Sequence, residues 1–413
     1  MQNRLFKIIL KIPRYLIDSL MIVFWRFRSL FFAEKEKFQD AWLICERGIE
    51  ARDNGFAFFK YIRENYPDKK VYYLIDPTQE IDYRFVENLG NVITYNSKRH
   101  WMALFFVDCV LSTHVGFVTP WSYVCHKTFF SWLNCPKFVL LNHGITKEDM
   151  SDKLNKFVTG VDLFIAANDQ DYTTLVQDKR YGYKSEEVAL TGYARYDRWV
   201  NFNGKNQILL MPTWRTYLVD KTIQNRNNPK VVPNFMESNY YKVFQNLLNN
   251  KRLDVLLTKY NVQLIFYPHY EMQSALHMWT TRSKNIVFAD KQHYDIPTLM
   301  RESKVLITDY SGVGFDFAYM YKPILYYQFD KEDYYKGHYL RSEAYSIEDD
   351  GLGDVVYLEK ELLDELENLL DNNCLMPLKY KERVNKFFTY HDDKNCERIY
   401  TAVLDICRKK SCL

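Results

Sequence analysis

Two histidines in this chain follow apolar runs that read as strands. Leu141-Asn-His143-Gly144 ends the run 137–141, and Pro268-His269-Tyr270 ends the run 262–267. Imidazole titrates near neutral pH. One such ring can therefore take a proton from an acceptor hydroxyl, and the other can stabilise phosphate oxygens. Each histidine taken singly is more often a structural residue. Arg215, closing Met211-Pro-Thr213-Trp-Arg215, offers a forked donor that matches a phosphate. The stretch 305–320 reads as a strand, a small polar turn and a helix. Thr308 and Ser311 bring hydroxyls to that turn, and Gly312 and Gly314 permit close backbone approach. A strand, tight turn and helix form a phosphate site, because the first helical N–H groups lack partners and carry the positive end of the dipole. An ordinary crossover turn has the same spacing.

These residues need a sheet to present them. Apolar runs at 41–45, 70–75, 91–95, 109–113, 137–141, 161–166 and 188–191 read as strands, with helical spacing at 56–66 and 101–107 between some of them. After a polar linker at 201–206, further strands are expected at 207–211, 262–267, 285–289, 305–307 and 322–327. Helices are expected at 234–257, 296–302, 313–320, 362–370 and 393–409. Strands alternating with helices mean an α/β fold of doubly wound sheets. The expected division is an N-terminal segment 1–38, a domain at 39–200 and a second at 201–413. Functional residues of such sheets lie past the carboxyl ends of strands. Glu46, His114 and His143 occupy such positions, and if the two domains face each other both histidines point into one cleft.

The net charge of +3 is too small to argue for nucleic acid. The eight cysteines form no C-x-x-C pair, and several lie in apolar runs. They read as reduced core residues of a cytoplasmic protein, with no zinc site. Residues 1–38 differ from the rest. Arg4, Lys7, Lys11 and Arg14 alternate with apolar residues, and Trp25, Arg26 and Arg28 follow a second apolar run interrupted by Asp18. The uninterrupted run is too short to span a bilayer, and no small-residue cleavage site follows it. A basic amphipathic segment with Trp and Phe suits an anionic membrane surface. Packing against its own domain is the competing expectation.

Taken together, Glu46 to Gly55, Leu141-Asn-His-Gly144, Thr191-Gly-Tyr-Ala-Arg-Tyr-Asp197, Met211-Pro-Thr-Trp-Arg215, Pro268-His269, Thr308-Asp-Tyr-Ser311 with Phe315-Asp-Phe-Ala318, Lys322-Pro323 and Tyr327 to Asp330 resemble one family. It is that of the CDP-glycerol glycerophosphotransferases of teichoic acid and capsule synthesis. The resemblance spans about 40–360 in the same order. It implies a GT-B fold, with two Rossmann-like domains facing a central cleft, acceptor on the N-terminal one and donor nucleotide on the C-terminal one. It implies transfer of glycerol phosphate from CDP-glycerol to a hydroxyl of a lipid-linked glycan or growing polymer, with release of CMP. His143 falls on the family's proposed base and His269 on its second important histidine. Thr308 to Gly312 falls on the loop that contacts the donor phosphates. Thr213, Arg215, Thr308, Asp309, Ser311, Gly312 and Asp316 are the expected donor-side residues. Glu46, Asp53, Asn54 and His114 are the acceptor-side candidates. The sequence departs from the family at Gly312, where a second Ser is usual, at Ile145, often Thr, and at Ala194, often Pro. No cofactor or metal is expected beyond the donor substrate, and the oligomeric state is left open. The expected location is the cytoplasmic face of the bacterial cell membrane, held peripherally. A nucleotide-sugar glycosyltransferase, a CDP-ribitol-dependent enzyme and a catalytically dead scaffold are the alternatives.

Overall fold

The first sheet has seven parallel strands: β1 (Trp42–Cys45), β2 (Val71–Ile75), β3 (Val92–Thr94), β4 (Cys109–Ser112), β5 (Lys137–Leu140), β6 (Leu163–Ala166) and β7 (Val188–Leu190). Their order across the sheet is β3-β2-β1-β4-β5-β6-β7. The second sheet has six: β8 (Gln207–Leu210), β9 (Gln263–Phe266), β10 (Ile286–Phe288), β11 (Val305–Thr308), β12 (Ile324–Tyr327) and β13 (Asp354–Val356). Their order is β10-β9-β8-β11-β12-β13, again all parallel. Central strands such as β1, β2 and β8 are buried throughout, as a parallel sheet covered by helices requires. In each sheet the order reverses between two neighbours, β1 and β4 in the first, β8 and β11 in the second. Ligands of doubly wound sheets bind beyond the carboxyl ends of strands at that switch point.

In this computed structural model the described residues are 12–116, 118–122, 125–126, 128–129, 136–145, 149–199, 204–220, 230–337 and 347–408. The chain folds into two units. One comprises Met1–Gly144, Met150–Arg198 and Thr389–Leu413, the other Ile145–Asp149 and Trp199–Phe388. Two Rossmann-like α/β units are what the strand and helix alternation predicts. The division differs at the carboxyl end, because the helix Asn395–Arg408 packs on the first unit. Its Asn395 and Cys396 amides donate to the Asp197 carboxylate, at 2.9 and 2.7 Å, and its Tyr400 stacks on Tyr66. The expected helix at 234–257 is two helices, Asn239–Leu248 and Lys251–Lys259. Asn250 breaks it by capping the second with its side chain. Strand β13 was not anticipated; it is only three residues long.

Residues 12–38, the described part of the N-terminal segment, pack on the first unit. The helix Ile12–Ser29 buries Ile22 and Trp25 in the same core as Leu43 and Val110. Trp25 packs edge-on against Trp101, and buried Asp18 accepts the Ser122 amide at 2.7 Å. The opposite face is apolar as well: Leu16, Leu20, Phe24, Phe27 and Phe31 are each more than half exposed. Arg4, Lys7 and Lys11 lie outside the described residues. No helix among the described residues is long and apolar enough to cross a membrane.

Candidate active site

In the first unit, the loops beyond β1, β4, β5 and β7 converge. Beyond β5, Asn142 takes a left-handed backbone with φ of 55°, a conformation asparagine tolerates better than most side chains. Its Oδ1 accepts the His143 amide at 2.9 Å, and its Nδ2 donates to the Gly144 carbonyl at 3.1 Å. The Tyr193 hydroxyl donates to that same carbonyl at 2.8 Å. The loop is thus pinned on both sides of His143, whose own side chain is exposed. Beyond β4, His114 lies under it, with ring centroids 4.3 Å apart and planes 13° from parallel. Desolvation lowers the His143 pKa; Asp53 and the Thr113 backbone oppose this, while Arg195 and Arg47 reinforce it. A lowered value keeps the ring neutral near pH 7, as a proton acceptor must be.

The other acceptor-side candidates serve the scaffold. Glu46 is buried and accepts the amides of Arg52, Asp53 and Phe56 at 2.9, 3.1 and 2.6 Å. It therefore caps the start of the helix Asn54–Asn65. Burial and then the Asp53 charge push its pKa up to about 8, against the pull of those amides. Gly55 makes this possible, since a Cβ there would lie 2.8 Å from the Glu46 side chain. Asn54 is also consumed inside the protein. Its Nδ2 donates to the Asn142 carbonyl at 2.8 Å and its Oδ1 accepts the Arg195 amide at 3.1 Å. Asp53 holds the Arg195 guanidinium at 2.7 Å, so it reaches His143 through charge. Sequence reasoning did not assign Tyr193 or Arg195 a role, although both lie in a motif that it singled out. Arg47 was likewise missed. It sits in the left-handed region at φ 50°, paired with Glu50, and its charge reaches both His114 and His143.

In the second unit, Arg215 is fully buried. Its Nε and Nη2 grip Asp330 at 2.8 and 2.9 Å, Nη2 also binds Asp309 at 2.9 Å, and Nη1 donates to the Thr213 carbonyl at 2.8 Å. The rings of Tyr240, Tyr310 and Tyr334 lie within 5.1 Å of the guanidinium. Burial lowers its pKa, but Asp309 and Asp330 more than reverse this. The fork expected to meet a phosphate is thus closed on two carboxylates. Asp309 is equally occupied, since its Oδ1 accepts the amides of Thr213 and Tyr310 at 2.8 and 2.7 Å. Thr308 gives its hydroxyl to the Met211 carbonyl at 2.7 Å. These three residues brace the ends of β8 and β11.

What faces outward at that switch point is a smaller set. Ser311 is half-buried and Gly312 exposed, and a side chain at 312 would meet nothing within 4 Å. The space that the family's second Ser would fill is therefore open. Asp316 is half-buried on the two-turn helix Val313–Tyr319. Gly314 serves packing rather than ligand approach, because a Cβ there would lie 2.5 Å from the Tyr326 hydroxyl. The Thr213 hydroxyl is buried with no hydrogen-bond partner among the described residues. Beyond β9, His269 stacks on Trp214. Its Nδ1 accepts the Glu271 amide at 3.2 Å, which places the proton of the neutral ring on Nε2. Among the described residues no three His, Cys, Asp or Glu side chains gather as a metal site.

Known proteins match this architecture. The chain is 33% identical over 369 residues to the minor teichoic acid biosynthesis protein GgaB of Bacillus subtilis, covering 89% of this chain and 40% of GgaB. It is 21% identical to the teichoic acid poly(glycerol phosphate) polymerase of the same organism, covering 85% of this chain and 46% of that one. The chain thus spans less than half the length of these relatives. A solved structure of the wall teichoic acid polymerase TagF superposes with a TM-score of 0.66 at 16% identity, covering 99% of both chains, which fixes the fold. The family model for CDP-glycerol:poly(glycerophosphate) glycerophosphotransferase matches residues 27–405, and the chain belongs to that family.

Proposed function

We propose that this protein transfers glycerol phosphate from CDP-glycerol to a hydroxyl of a lipid-linked glycan or growing teichoic acid or capsule polymer. The observation that carries this reading, within that family, is the exposed His143 on its pinned strand-end loop. Its ring accepts the acceptor's hydroxyl proton. The oxygen forms a bond to the phosphorus bearing glycerol, and the bond from that phosphorus to CMP breaks, with CMP leaving. Such transfer depends chiefly on positioning and charge stabilisation. His269, donating from Nε2, the Thr213 hydroxyl, Ser311 and the backbone at Gly312 receive the donor phosphates. Arg215, Asp309 and Asp330 act behind them by fixing the loops.

His269→Ala and Ser311→Ala are expected to weaken CDP-glycerol binding about ten- to a hundredfold each, as a hydrogen bond to a charged group is worth about 1.5–3 kcal/mol. Calorimetry with CDP-glycerol reads this directly. Unchanged affinity and unchanged rate in both variants would reduce the 308–314 stretch to a crossover turn.

The protein is proposed to sit peripherally on the cytoplasmic face of the bacterial membrane. The exposed row Leu16, Leu20, Phe24, Phe27 and Phe31 would enter the headgroup region of anionic lipid. Replacing Leu20 and Phe27 with Ser should abolish co-sedimentation with phosphatidylglycerol vesicles and leave the melting temperature unchanged, since neither is buried. Deleting residues 1–38 should instead lower the melting temperature, because Ile22, Trp25 and Phe38 leave the core. Equal sedimentation of the double variant and the parent would rule this surface out.

A further inference from the structure

We propose that His114 is a positioning residue, the platform on which the His143 ring lies and which shields one face of that base from water. The proposal rests on the reading of His143 as base. Three observations carry it. The two rings are nearly parallel at 4.3 Å. Thr113 anchors His114: its hydroxyl bonds His114 Nδ1 at 2.8 Å. Thr113 is itself fully buried at the end of β4, so the pair inherits the rigidity of the sheet. His114 is half-buried beneath the exposed His143.

Two imidazoles stacked this closely resist carrying charge together, since like charges at about 4 Å repel. Desolvation, then the His143 charge, then Arg47 hold the His114 pKa down at about 3. His114 therefore stays neutral while His143 titrates. Its effect on His143 is removal of water rather than charge. The charged groups facing His143 are Asp53, which favours the protonated ring, and Arg195 and Arg47, which disfavour it. None of them is supplied by His114. Removing the His114 ring lets water reach the other face of His143, which raises its pKa toward the ordinary imidazole range near 6.5.

The experiment compares the pH profile of kcat/KM, with CDP-glycerol and a soluble acceptor, in the parent, H114F and H114A. In H114A the acid limb is expected to move to higher pH, with kcat at pH 7 reduced about tenfold and KM for CDP-glycerol unchanged. In H114F, which keeps a flat ring, the limb should stay in place and kcat fall by no more than a few fold. NMR titration of the His143 ring in the same proteins reads the shift without turnover. An unmoved limb and ring titration in H114A overturn the proposal. So does an H114F protein as impaired as H114A, which would give the His114 nitrogens a chemical role. Failure of the parent reading is separately visible, as an acid limb that persists in H143Q.

Discussion

Replacing Arg215 with methionine is expected to destabilise the second unit by about 3–5 kcal/mol, the cost of leaving buried carboxylates without their cation. Asp309 and Asp330 are both almost wholly buried and both hydrogen-bonded to the guanidinium. Methionine fills much of the volume but offers no donor, so the loss is electrostatic rather than a cavity. Urea unfolding should show the midpoint of that unit falling. Changing Asp309 and Asp330 to Asn in the same protein should restore much of the stability, because the uncompensated charges are then gone. Activity should not return, since the amides of Thr213 and Tyr310 lose the carboxylate that aligns them. An unchanged midpoint in the single variant would mean that water reaches this cluster freely.

His143→Ala is expected to lower kcat by about 10²–10⁴, the usual loss for a general base, with CDP-glycerol affinity within a few fold of the parent. The ring is exposed, and the Asn142, Tyr193 and Gly144 bonds that hold its loop do not involve it. Folding should therefore be unaffected. The pH dependence has a definite sign. The His143 pKa is lowered in the folded protein, so its ring stays unprotonated below the ordinary imidazole value. Activity should persist through pH 6.5 and fall only as the pH drops through the lowered value. Near-full activity in the alanine variant would remove His143 from the mechanism.

All strands but β13 were legible to within a residue or two because parallel strands buried on both faces are uninterrupted apolar runs, as in Val71–Ile75. The positions of His143, His269 and Ser311 followed, since each stands just past such a run. The partners of Glu46, Asn54, Arg215, Thr308 and Asp309 were not legible. Each meets its partner through the fold: Arg215 and Asp309 are 94 residues apart, and Asn54 and Arg195 are 141 apart. A polar residue at a strand end is equally suited to binding a ligand or bracing a neighbouring loop, and only the tertiary pairing decides. The return of Asn395–Arg408 to the first unit was hidden for the same reason. Its amphipathic pattern shows that it packs, not on what. The N-terminal helix carries two apolar faces, and sequence alone offered the membrane and the core as rivals where the fold uses one face for the core.

The central claim is the chemistry of transfer, and product analysis tests it most directly. Purified protein is supplied with CDP-glycerol labelled in the glycerol, together with membrane acceptors, and with CDP-ribitol and nucleotide sugars in parallel. The account predicts release of CMP and label joined to the acceptor through a phosphodiester, with CDP-glycerol as the productive donor. Label joined through a glycosidic bond, or transfer from a nucleotide sugar with no phosphate in the product, would contradict it.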